Sequence, residues 1–191
     1  MPDFTQCKRL LGNAYAGANG KKIGIEYNGE QYGRDAKSGG VCLSTIISLV
    51  DSFWKWTGYE ERYKVCDIST LPIDPVDFPL LHEMRTQCDT LINQALSPKE
   101  IDAFLVCMAV DNEAEWILGA CKKSANNDFL ETIVSAGVCY PQMEVRWQIA
   151  ELLRRNIPNR ISYLATLLAD AHPYVRKRAY NVWIDTIDSD G

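Results

Sequence analysis

The chain has 191 residues, of which 47% are hydrophobic and 24% charged, with a formal net charge of −5. This composition fits one ordinary globular domain, or one with a modest extension. It argues against general nucleic-acid binding, which needs basic surface to neutralise phosphates, and leaves room for a basic protein partner.

The first residues, Met-Pro-Asp-Phe-Thr-Gln-Cys-Lys, contain no basic segment followed by an apolar run, so no export is expected. Eight of the twelve glycines fall within residues 1–40. Phe4 to Tyr15 suits one short helix, and Asn28-Gly29 in a weakly alternating stretch is a hairpin signal that competes with an extended loop. After Gly39-Gly40, Leu43, Ile46, Ile47, Val50, Phe53 and Trp54 recur at helical spacing, and Gly58 suits the exit. Ser44, Thr45, Ser48, Asp51, Ser52 and Lys55 make this stretch too polar to cross a bilayer. Trp54 and Trp56 fall on opposite sides of the helix, which puts one of them towards solvent. Tyr59 to Pro79 reads as a connector, held extended by Pro72, Pro75 and Pro79.

From Leu80 onward the pattern is helix, short loop, helix. Ser97-Pro98-Lys99-Glu100 is a capping box with proline at the first helical position. Asp111 is placed to cap the next helix, with Trp116, Ile117 and Ala120 on its inner face. Asp128 with Glu131 is placed to cap another, Pro141 to start the helix of Val145, Ile149 and Leu152, and Asn159 to cap that of Leu164 and Leu167. Pro173 opens the last helix, with Val175, Ala179, Val182 and Trp183 inward.

A weak repeat runs through this half. Glu83-Met84-Arg85 lines up with Glu113-Ala114-Glu115, with Glu144-Val145-Arg146 and with Tyr174-Val175-Arg176. The steps from Met84 to Ala114, Val145 and Val175 are 30, 31 and 30 residues. A fixed period in this range predicts a helical solenoid, in which each unit buries its apolar face against its neighbours. Asp170 followed by Pro173-Tyr174-Val175-Arg176 and Ala179 resembles the core of short HEAT-like repeats, and Val145-Arg146 with Ala150 is a second copy. The resemblance spans Leu80 to Ile187. It implies helix pairs brought close by the small residue, and an arginine at the seam between repeats that pairs with a neighbouring acid or carbonyl.

The residues offer little for catalysis. His82 and His172 are the only histidines, and the repeated His-Glu pairs of iron-binding HEAT-like hydroxylases are absent, so no metal or other cofactor is expected. Cys42, near a helix start, is the sharpest nucleophile candidate, but no cysteine-hydrolase signature surrounds it. The seven cysteines are scattered without a C-x-x-C pair, which reads as reduced, mostly buried thiols in a cytoplasmic protein. No glycine-rich phosphate loop is present. Arg146, Arg154, Arg155, Arg160, Arg176, Lys177 and Arg178 stand against only Glu151 and Asp170. Interleaved with Trp147, Tyr163, Tyr174 and Tyr180, they make a basic face open to two readings: a phosphate-binding surface, as in HEAT-like DNA glycosylases, or seam and solvated residues.

The expectation is therefore an all-α chain with an irregular N-terminal part (residues 1–79) capping three to four HEAT-like helix pairs (residues 80–191). Its expected role is non-enzymatic. In general form it looks like an immunity protein that binds and neutralises a bacterial toxin, such as a basic nuclease, with nucleic-acid binding through Arg146–Arg178 as the alternative. The expected partner-binding residues lie on the acidic, tyrosine-bearing connector: Tyr59, Glu60, Glu61, Tyr63, Asp67, Asp74 and Asp77.

Overall fold

The computed structural model describes residues 45–59 and 67–189, with side chains as far as residue 186. The glycine-rich start, the Asn28-Gly29 hairpin signal and Cys42 lie outside the described residues. Within them the chain is all-helical: eight α-helices, two 3-10 turns and no strand.

Helix α1 spans Ile46–Thr57. The Thr45 side chain accepts the Ser48 amide at its start. Gly58, at φ 72°, ends it by donating its N–H to the Lys55 carbonyl, a left-handed closure that suits glycine. Its buried face carries Leu49, Phe53 and Trp54. Phe53 meets Trp54 and Phe78 edge to face at 4.9 and 5.3 Å, and its full burial stabilises the fold by about 1.5–3 kcal/mol. Trp54 is buried and Trp56 is half-buried against Phe53 and Phe78, so neither tryptophan is left fully in solvent.

Two 3-10 turns, Ile68–Thr70 and Pro75–Asp77, lead into α2, Leu81–Leu91. Helix α3 is Pro98–Val110, opened by the capping box expected of Ser97 and Glu100. Then follow α4 (Trp116–Lys123), α5 (Asn127–Gly137), α6 (Met143–Leu152), α7 (Arg160–Leu168) and α8 (Pro173–Ser189). Several caps differ from expectation. Asn126, not Asp128, caps α5 by accepting the Phe129 amide. Asn159 adopts a left-handed φ of 59° before α7 and makes no side-chain cap. Helix α6 begins at Met143, two residues after Pro141, and its first amide is satisfied from far along the chain, because Met143 donates to Asp67 at 2.8 Å.

Alternate helices stack on one another: α2 on α4, α4 on α6, α6 on α8. On the other side α1 packs on α3 and α3 on α5. Helix α3 also meets α6 directly, and there Gln148 donates to the Met108 carbonyl at 2.7 Å. Both helices are consequently buried on nearly every side, from Ala103 to Val110 and from Trp147 to Leu153. The approach of α5 to α6 depends on Gly137, where an added Cβ would lie 2.6 Å from the Ile149 side chain and 3.2 Å from Leu105.

Cys88, Cys107 and Cys121 are free and buried. Burial pushes the Cys121 thiol up to about 12, and it likewise raises Cys88, which neighbours Cys107. These are inert core thiols. Cys139 is disulfide-bonded, so the expectation of seven reduced thiols does not hold at that position. No helix among the described residues is long and apolar enough to cross a membrane.

Candidate docking groove

Asp111 ends α3 with its carboxylate buried. One oxygen takes the Arg85 guanidinium from α2, Nε at 2.6 Å and Nη2 at 2.5 Å. The other accepts the Ile117 amide in the first turn of α4 at 2.8 Å. One side chain therefore ties three helices together. Burial pushes this carboxyl above the ordinary aspartate value, opposed by the Ile117 amide and by Arg85. Between Asp111 and α4, the backbone turns through Glu115 at φ 52°, a left-handed conformation unusual for a residue with a Cβ.

Above this ion pair lies an open groove of about 260 Å³. Its rim carries Asp74 and Glu113, and Val76, Leu81 and Val110 line it. Asp74 caps the 3-10 turn by accepting the Val76 amide. Glu113 is exposed and has no hydrogen-bond or ion-pair partner among the described residues. Arg85 also lines a second, smaller hollow with His82, Thr86, Asp89 and Trp116. Trp116 is 57% exposed and Val76 53%. The Trp116 indole N–H points to Asp89 at 3.4 Å, a long contact at the surface. Exposed Val76 thus lines a groove whose carboxylates outnumber its single arginine, and exposed Trp116 lines the hollow on the other side of Arg85.

The connector residues expected at an interface divide. Tyr59 is half-buried against the core, and Asp67 is committed to the α6 amide, with the adjacent Ser69 amide donating to buried Glu144 at 2.7 Å. These two hold the fold together. Asp74 rims the groove and Asp77 is exposed close by in sequence. Glu60, Glu61 and Tyr63 lie outside the described residues. Trp116, expected inward, faces out. Ile117 is inward as expected, but the helix begins at Trp116 and its phase turns Leu118 and Cys121 into the core in place of Trp116.

Compared with known proteins, the chain matches no family model, no curated protein and no solved structure.

The basic face of the last helices is largely engaged within the protein. Arg146 binds Asp170 and the carbonyls of Tyr140 and Pro141. Arg154 pairs with Glu151 and Asp185, and Arg155 donates to the Lys122 carbonyl. Arg176 donates to the carbonyls of Asp170 and Ala171. Arg178 lies 4.8 Å from the Trp147 ring centre and 5.1 Å from that of Tyr174, bonds the Tyr174 hydroxyl and pairs with Glu151. Trp147 is buried, so it offers no stacking platform. Among the described residues no group of three or more histidine, cysteine, aspartate or glutamate side chains is placed to hold a metal ion.

Proposed function

We propose that this chain is a non-enzymatic protein–protein interaction module that docks a basic partner at the groove over Arg85 and Asp111. The observation that carries the reading is exposed Val76 beside Asp74 and Glu113 in the groove, with exposed Trp116 in the adjoining hollow that shares Arg85. Exposed aromatics that become desolvated supply most interface energy, and rim carboxylates steer a cationic partner. The scaffold in this reading is a short HEAT-like solenoid. Its support is the repeated tie of Arg85 to Asp111 and Arg146 to Asp170, together with the carbonyls six and five residues back that both Arg146 and Arg176 take.

In its most specific form the proposal is an immunity protein that neutralises a cognate bacterial toxin, for instance a nuclease used in contact-dependent growth inhibition, inside the cytoplasm. An acidic inhibitor of a basic nuclease associates quickly through charge. The internal engagement of the arginines from Arg146 to Arg178 supports a protein partner over nucleic acid. Co-expression with the products of the genes flanking its own tests the toxin form. Rescue of growth from a toxic neighbour is expected, and it should weaken with Asp74→Lys plus Glu113→Lys. If no flanking product is toxic and none binds, the immunity form is wrong.

A further inference from the structure

The shape and charge of the groove specify more than an acidic surface. At about 260 Å³ it is below the size of sites that enclose a drug-sized ligand, and it suits one long side chain. Arg85 is already neutralised by Asp111 at its base, which leaves Asp74 and Glu113 at the rim with no cationic partner among the described residues. Val76, Leu81 and Val110 give the walls an apolar character. A chain of methylenes ending in a cation matches that sequence of surfaces, because such side chains bury their stems and keep their heads in a polar, charged setting. A carboxylate or phosphate would meet like charge at the rim, and a neutral aliphatic side chain would leave both carboxylates uncompensated.

We infer that the groove is a socket for a single lysine or arginine side chain of the partner, with Asp74 and Glu113 receiving the cationic head and Val76, Leu81 and Val110 the stem. The inference rests on the docking reading above and adds the residue type that enters. Trp116, on the far side of Arg85, contacts the residues flanking the inserted side chain.

The test is a titration of the full-length, ¹⁵N-labelled protein with N-acetyl-arginine methylamide, and separately with the norleucine analogue. The expected result is a saturable shift of the Val76 and Ala114 amides with arginine and a binding at least several-fold weaker with norleucine. Asp74→Asn with Glu113→Gln should weaken arginine binding about tenfold, the size expected for two exposed charge pairs. The paired exchange Asp74→Glu with Glu113→Asp should retain it. An unchanged spectrum elsewhere reports that each variant is folded. Equal shifts with both probes, shifts that do not saturate, or full binding by the neutralised variant would overturn the socket. A protein partner that binds wild type and neutralised variant equally removes the socket and leaves the interaction reading. Arginine that titrates into the groove while no flanking product binds removes the toxin form alone.

Discussion

Arg146 and Asp170 are joined by two parallel contacts, Nε to Oδ2 at 2.7 Å and Nη2 to Oδ1 at 3.2 Å. They link the middle of α6 to the turn after α7, and Asp170 also accepts the His172 amide just before α8. Arg85 and Asp111 make a comparable tie between α2, the end of α3 and the start of α4, with both Arg85 nitrogens on one carboxylate oxygen and the Ile117 amide on the other. In both, a fork-shaped cation and a carboxylate fix the junction of three successive helices.

Breaking that tie should be costly because both partners are mostly buried, with side-chain exposures of 15% for Arg146 and 9% for Asp170. Arg146→Ala is expected to destabilise by about 3 kcal/mol, since it strands a buried carboxylate. Arg176→Ala, at an exposed position that binds only carbonyls, should cost about 1 kcal/mol or less. Urea denaturation of the two variants compares them directly. Equal losses would mean that the Asp170 contact adds nothing beyond the carbonyl bonds.

Gly137 sets the spacing of α5 and α6. Gly137→Ala would ordinarily favour a helix, by about 1 kcal/mol. Here the new methyl would meet Ile149 at 2.6 Å and Leu105 at 3.2 Å, so a net loss of about 1–3 kcal/mol is expected from overpacking. Adding Ile149→Val should recover part of it. A melting temperature that rises in Gly137→Ala would show that the helices separate freely.

The pH dependence at Asp111 follows from its burial. Its folded carboxyl sits above the ordinary aspartate value, mainly through desolvation. The folded state therefore holds the proton more tightly than the unfolded state. This contribution to stability is fully present below the unfolded value and is lost as pH rises through the folded value. Comparing wild type with Asp111→Asn by denaturation across acidic pH should show wild type losing ground to the variant as pH rises. The opposite trend would mean that Arg85 and the Ile117 amide outweigh desolvation.

The disulfide at Cys139 and a cytoplasmic address pull in opposite directions, since thiols in that compartment are kept reduced. Thiol trapping in intact cells separates them. The disulfide predicts that Cys139 is not trapped as a free thiol; its trapping in intact cells would instead fit the cytoplasmic address of the proposed function. A Cys139 that resists trapping in cells would place the protein in an oxidising compartment.

The helical class was legible because apolar spacing and caps such as Ser97 with Glu100 are local signals, satisfied within one turn. Arg146 and Arg176 stood out in the sequence because Val145-Arg146 and Val175-Arg176 recur at a fixed step, and both arginines bind carbonyls five and six residues back. What could not be read was long-range. Asp67 caps α6 from 76 residues away, a pairing with no spacing signature, so its charge looked free for a partner. Trp116 faces out, against the sequence's helical spacing, because the start of α4 is set by Asp111 and the left-handed Glu115. The direct meeting of α3 and α6 likewise has no counterpart in a strict repeat pattern.

Docking of partners on the acidic groove is tested most directly by hydrogen exchange on the full chain, alone and in complex with a toxic product of a flanking gene. The account predicts new protection at residues 74–78 and 111–118, with α8 unchanged. Protection confined to α6–α8, with the groove exchanging as in the free protein, would contradict it.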